Sequence, residues 1–475
     1  MRKILLYIPF LVFFLLCGCN SAENDEVVLR VCNWEEYIDL GGWDEDEAIE
    51  LSDDNVIIGN SPMYEEFCDW YYENYGVRVR VEYSCFGTNE DIYNQLTMGD
   101  TFDLICPSDY MIMKLMKENA LELYSEEFFD DGNELNYYIK GVSPYIKRIF
   151  NENEINGEPW SAYSAGYMWG TTGIVYNPDT VSDEDASHWN ILLNEDYHRK
   201  VTIKDNVRDS YFAALAILKE KLLLTEEFVS AGNYEERLAE EMNDTGGDVI
   251  DDVCGILKDI KKNAYSFETD SAKADMAAGK VDVSYQWSGD AVYTMETAGE
   301  EGVELSYIVP EECGNLWFDG WVMLKEGIAG DTKKKAAAEA FVNYLSRPDN
   351  AVRNMYYIGY TSVISGGEDS TMLDYADWYY GADEDDENTV DYDITYFFSD
   401  KARPGTYVIT ACKGCETGGL GAQYPTVDTI KRCAVMQDFS GESYEKINRM
   451  WIDVRCFNIF DVWNGNNKNR RNGAY

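Results

Sequence analysis

Apolar and polar positions along the chain follow two periods in turn. Residues 28–32 (VLRVC) form an apolar run of strand length, and 77–83 (VRVRVEY) alternates with period two, the pattern of a half-buried strand. Between them Met63, Phe67, Trp70 and Tyr71 recur at helical spacing and stop at Gly76, which predicts a helix with a glycine just past its end. Residues 92–98 and 111–121 read as helices on either side of a short buried strand, 102–106, closed by Pro107. The same style returns as strand 201–203 with helix 210–221, and strand 281–286 with helix 291–298. Strands alternating with helices predict α/β layers with mainly parallel sheets. No fixed-period repeat interrupts them.

The N-terminus follows different rules. Arg2 and Lys3 precede an apolar run, 4–16, that is shorter than the roughly 20 residues a membrane-spanning helix needs, so it reads as a signal-peptide core. Leu16-Cys17-Gly18-Cys19 resembles a bacterial lipobox with Cys19 as the lipidated residue. The polar stretch 20–26 reads as a tether, so the mature protein is expected to meet the membrane only through this lipid.

Composition changes the picture in one respect. Acidic residues outnumber basic ones by 88 to 39, a net charge of −49 over 475 residues. Such a field repels nucleic acid and anionic lipid and draws cations. Most of these acids belong to solvated faces, and charge alone names no ligand.

Groups for catalysis are scarce. The chain has two histidines, His188 and His198, and no HExxH, GxSxG or phosphate-loop motif. Of its 12 cysteines, Cys412 and Cys415 form a CxxC in a glycine-rich stretch with no second pair to complete a zinc site. A local bridge there, or no bridges at all, is expected. No metal or cofactor is called for. An enzyme reading would be a glycosidase, with a carboxylate pair among 12 Trp and 36 Tyr, but no spacing fixes two carboxylates at a set separation.

Aromatic residues beside carboxylates do recur at strand ends. Trp34-Glu35-Glu36-Tyr37 follows the first strand, Ser108-Asp109-Tyr110 follows 102–106, Trp287-Ser288-Gly289-Asp290 follows 281–286, and Trp317-Phe318-Asp319 precedes another apolar run. In open α/β sheets ligands bind beyond the carboxyl ends of strands. Aromatic faces attract cations and carboxylates pair with ammonium groups, so such a box suits a flexible diamine.

These stretches carry a resemblance. Asn33-Trp34-Glu35-Glu36-Tyr37, Thr88-Asn89-Glu90, Asp103-Leu104-Ile105-Cys106-Pro107-Ser108, Trp169-Gly170-Thr171, Ser346-Arg347-Pro348-Asp349 and Ile358-Gly359-Tyr360 are similar to motifs of the spermidine/putrescine-binding proteins of ABC importers. The resemblance implies a two-lobe, type II periplasmic-binding-protein fold, each lobe a mainly parallel sheet flanked by helices, joined by two crossover strands. It implies capture of a polyamine, delivery to a permease with a cytoplasmic ATPase, and a monomer. A sensory lipoprotein on the same fold is the other non-enzymatic reading.

Carried over residue by residue, Trp34, Glu36 and Tyr37 resemble the first-lobe wall and an amine partner, with Glu35 where a small residue is usual. Ser108 and Tyr110 resemble further first-lobe contacts. Asp209 falls where the family has an ammonium-binding glutamate, and Asn206 where the spermidine type has an aspartate. Trp287 resembles a stacking tryptophan and Asp290 the aspartate of the putrescine type. Trp317 and Asp319 match a Trp-x-Asp pair, and Tyr360 and Gln437 resemble late contacts. The expected division is signal 1–18, tether 19–27, first lobe 28–170 with 321–363, and second lobe 171–320 with 364–475. Insertions at 41–61 and 366–424 depart from the pattern.

Overall fold

The computed structural model describes residues 26–456 apart from 53, 270, 384 and 440. The expected signal segment, the expected lipidation at Cys19, the expected tether as far as residue 25 and the tail 464–472 lie outside them. No helix of the described residues is long and apolar enough to cross a membrane.

Eight strands form the spine of the main sheet: β1 (Val27–Trp34), β2 (Val79–Phe86), β3 (Leu104–Ile105), β4 (Ser164–Tyr176), β5 (Val201–Lys204), β6 (Ser266–Glu268), β7 (Val283–Trp287) and β8 (Gly314–Leu324). Their spatial order is β6-β5-β7-β4-β8-β3-β1-β2. At one end β1 lies parallel to both β2 and β3, and at the other β5 lies parallel to β6 and β7. The long strands β4 and β8 run antiparallel to each other and to their neighbours between these ends. Both are buried along their whole length, as expected of strands covered on both faces.

Two large hydrophobic cores result. The first gathers Leu29, Phe67, Ile105, Trp321 and Phe341, and the second Ile174, Trp189, Val201, Tyr211 and Tyr285. Strand β4 begins in the first, with Ala165 and Trp169, and ends in the second, with Ile174 and Tyr176. The chain returns from Cys313 in the second core through β8 to Trp321 and Leu324 in the first. This is the expected two-lobe architecture with two crossing strands.

Helices follow the strands. They include α1 (Met63–Tyr75), α2 (Asn89–Met98), α3 (Asp109–Lys117), α4 (Val207–Leu223), α5 (Ser288–Glu300) and α6 (Pro348–Ile358). Local chemistry sets their ends. Gly76 closes α1 at φ 68°, where a side chain would strain the backbone, and the Thr88 side chain accepts from the Asp91 N–H to open α2. Helix α3 stops earlier than its apolar pattern predicts. Asn119 turns left-handed at φ 57°, and residues 121–122 then pair with the end of β8.

The long insertion carries structure of its own: α7 (Thr371–Tyr380) and a hairpin of β9 (Thr389–Asp393) and β10 (Val408–Cys412). Its allocation to the second lobe needs correcting. Met372, Tyr375, Ile394, Phe397 and Tyr424 pack in the first core, with Phe397 stacked on Trp169 at 5.6 Å between ring centroids. The insertion is rich in aromatic side chains, and Tyr375, Tyr380, Tyr392, Phe397 and Tyr424 are buried in the first core. The chain rejoins the second core at Ala434, Met436 and Ile447. The shorter insertion folds as a small hairpin, Ile49–Ser52 with Asn55–Ile57. The ten cysteines among the described residues are free thiols, Cys412 and Cys415 included.

Candidate ligand-binding cleft

Strand ends deliver the side chains to one place. Trp34 ends β1, Ser108 caps α3 after β3, Asn206 caps α4 after β5, and Trp287 caps α5 after β7. Helix N-termini therefore converge between the lobes, where the positive ends of their dipoles and the adjoining acids meet.

The first-lobe end centres on Asp319, in the middle of β8. It is 6% exposed. The Tyr37 hydroxyl donates to Asp319 Oδ2 at 2.7 Å, and Ser108 both bridges the Asp319 backbone and hydrogen-bonds its carboxylate. Asp319 Oδ1 is buried without a hydrogen-bond partner. Burial pushes this carboxyl up to about 6, against the pull of the Ser108 and Tyr37 hydrogen bonds. Aromatic rings wall it in. Tyr360 stands edge-on to Tyr37 at 5.2 Å and to Trp317 at 5.6 Å, and the Trp317 indole N–H is fixed by the Thr171 carbonyl at 3.1 Å. Trp34 lies half-buried against Phe86 at 4.8 Å.

The second-lobe end centres on Asp290, which the Tyr360 hydroxyl reaches at 2.9 Å from Oδ1. Tyr37 and Tyr360 thus link the two acids across the cleft. Asp209 lies nearby, fully enclosed, and accepts from Asn206 Nδ2 at 2.5 Å. Burial holds its carboxyl above the ordinary range. Tyr110 joins the wall from α3, accepting from Asn89 Nδ2 at 2.9 Å and donating to Glu90 Oε1 at 3.3 Å. The lobes also touch at the rim, where Lys117 pairs with Asp438.

Most of the residues singled out by sequence therefore meet here. Three do not turn inward. Glu35 and Glu36 are exposed, Glu36 at a left-handed φ of 52° that swings the chain back so that Tyr37 enters the cleft. Gln437 is exposed, and its backbone N–H bonds Asn243 Oδ1 at 2.7 Å. Three neighbours were missed, Lys204, Lys273 and Arg208, and the enclosed Asp109 was picked out only as part of the Ser108-Asp109-Tyr110 pairing. Arg208 lies 4.0 Å from the Phe439 ring centroid, donates to Asn243 Oδ1 at 2.8 Å, and is pushed down to about 10 by burial. Lys204 carried one visible signal, a charge directly after the strand-forming run Val201-Thr202-Ile203.

Gly289 makes the cleft possible. A Cβ there would stand 2.3 Å from the Tyr360 ring. Gly289→Ala is expected to move Tyr360 off Asp290 and cost about 1–3 kcal/mol of stability by overpacking. Denaturant unfolding would measure it, and an unchanged midpoint would show that the ring yields freely.

Residues 66–377 match a family model described as bacterial extracellular solute-binding protein. The chain is 25% identical over 347 residues to the spermidine/putrescine-binding periplasmic protein of Salmonella typhimurium, covering 73% of this chain and 79% of that protein. It is 26% identical over 280 residues to the putrescine-binding periplasmic protein PotF of Escherichia coli, covering 57% of this chain and 67% of that one. Among solved structures, the spermidine/putrescine ABC transporter substrate-binding protein PotD of Streptococcus pneumoniae matches with a TM-score of 0.55 at 22% identity, over 90% of this chain and 98% of that chain. The TpPotD lipoprotein of Treponema pallidum matches at 0.58 with 17% identity, over 90% and 99%. At these identities the structural likeness speaks for the fold, and it agrees with the two lobes and crossing strands described above. The family model spans most of both lobes, and on that match the chain belongs to the bacterial extracellular solute-binding proteins, a non-enzymatic class.

Proposed function

We propose that the cleft captures an amine of the polyamine class outside the cytoplasmic membrane and hands it to an ABC-type permease, without chemical turnover. The observation that carries this reading is Asp319, a buried carboxylate with one unpartnered oxygen at the end of an aromatic wall. A buried acid in that state calls for a cation, and an ammonium on an alkyl chain supplies one along with apolar surface for Tyr37, Trp317 and Tyr360. The spermidine/putrescine-binding and putrescine-binding relatives support the same class. A ligand touching both lobes would stabilise the form in which they meet, and that form would dock on the permease. Export and a lipid on Cys19 complete the reading, with the protein acting as a monomer.

Calorimetry with putrescine, cadaverine, spermidine and spermine tests it. Saturable one-to-one binding of at least one amine is expected, with a matching rise in thermal midpoint. No heat and no shift from any amine, acylated ones included, would sink the reading.

Binding should also depend on pH in a set direction. Burial pushes the Asp319 carboxyl up to about 6. An ammonium binds only its ionised form, so affinity is full above that value and lost as the pH falls through it. Below it the loss is about tenfold per unit. Titrations across the acid range would check this, and affinity unchanged well below 6 would remove Asp319 from the contact.

A further inference from the structure

The second lobe places an ammonium of its own in the cleft. Lys204 ends β5 with its side chain 1% exposed. Its Nζ lies 3.9 Å from the Trp287 ring centroid, 3.0 Å from Asp290 Oδ2 and 2.9 Å from the Thr269 carbonyl. A cation over an indole face and against a buried carboxylate is the arrangement that would otherwise recognise a ligand's amine. The rest of Asp290 is taken as well. Lys273 Nζ stands 3.2 Å from Oδ1, and the Tyr360 hydroxyl donates to the same oxygen. Two further acids are enclosed beside Lys204: Asp209 is held by the side chains of Asn206 and Trp287, and Glu268 Oε2 accepts from the Ala272 N–H at 3.0 Å.

The two ends of the cleft are therefore unequal. Asp319 keeps a bare oxygen and pairs with no basic side chain among the described residues, whereas both oxygens of Asp290 are engaged by the protein. A ligand bearing two ammonium groups would set its second charge against Lys204 and Lys273, with both oxygens of Asp290 already taken. Like charges enclosed together are costly, and an ammonium stripped of water without a partner adds to that cost.

We propose that Lys204 fills the second amine position with the protein's own ammonium, so that the cleft selects a polyamine derivative with a single ammonium, seated on Asp319, and an uncharged far end beside Trp287. A mono-N-acylated diamine has this chemistry: one charged end, an alkyl chain and a neutral amide. The selection rests on the amine-binding reading above and sharpens it.

The test uses the full-length protein, calorimetry, and two probes of closely similar chain, putrescine and N-acetylputrescine. The wild type should bind N-acetylputrescine at least tenfold more tightly than putrescine. Lys204→Met, which keeps the apolar stem and removes the charge, should reverse that order. If Lys204→Met fails to fold, the wild-type ratio decides alone. Equal affinities, or a preference for putrescine in the wild type, overturn the selection and leave the amine-binding reading intact. Binding of neither probe, nor of any other amine, overturns both.

Discussion

Replacing Asp319 by alanine is expected to weaken amine binding by about 2–5 kcal/mol, because the ligand's ammonium then lies enclosed without its counter-charge. Removing the charge alone should not harm the ligand-free protein. Asp319 is buried, its Oδ1 lacks a partner, and its carboxyl is held near 6, above the ordinary value of 3.8. A carboxyl whose folded-state value is raised binds its proton more tightly in the folded chain. Its ionised form therefore opposes folding at neutral pH, and that opposition fades as the pH falls through 6 toward 3.8. Asp319→Asn, which keeps the shape and removes the charge, should hold or raise the thermal midpoint of the ligand-free protein at neutral pH while losing the ligand. Calorimetry and thermal unfolding of the same samples separate the two effects. Wild-type affinity in Asp319→Ala would refute the site, and a lower midpoint in Asp319→Asn would refute the account of its charge.

Arg353→Ala is expected to cost about 3–5 kcal/mol of stability, the largest loss anticipated for a single substitution here. Arg353 is 4% exposed in α6. Its Nε donates to Asp39 Oδ2 at 2.7 Å, Nη1 to Glu66 Oε2 at 2.6 Å and Nη2 to the Ser61 carbonyl at 3.2 Å. Burial alone would lower its proton affinity, but the Asp39 and Glu66 carboxylates outweigh burial and raise it. Removing the guanidinium strands Asp39, which is fully buried and left with the Gly41 N–H and the Trp43 indole. This cluster pins both ends of the 41–61 insertion, and Asp39 follows Tyr37 by two residues, so ligand affinity should fall as well. Because the penalty is a stranded charge, Asp39→Asn with Arg353→Met should cost less than Arg353→Ala alone. Urea unfolding would measure all three proteins. A loss below about 1 kcal/mol for Arg353→Ala would mean water reaches Asp39 and the network matters little.

Much of the architecture was legible because it is written in local signals. The period-two run at 77–83 became β2, the spacing from Met63 became α1, and Gly76 ended it in the left-handed turn that only a glycine adopts cheaply. The short apolar run before Pro107 became β3, and the aromatic residues at strand ends did collect beyond those ends. The resemblance rested on those same stretches. Such features depend on residues a few positions apart, which is the range over which backbone preference and side-chain periodicity act.

What the sequence by itself determined, then, is a layered α/β chain with an aromatic and acidic cleft at its strand ends. Which acids in that cleft are free was decided only by tertiary structure. Asp319 meets Tyr37 across 282 positions of sequence, and Asp290 meets Lys204 across 86. A lysine after an apolar strand reads as a solvated end, and Asp290 reads as a vacant acceptor, until the fold seats one upon the other over Trp287. The long insertion was likewise given to the wrong lobe, since a stretch rich in tyrosine and phenylalanine does not say which core it will cover. The physical reason is common to both. Burial and charge pairing between remote segments are set by where the sheet carries them, and no local propensity encodes the partner.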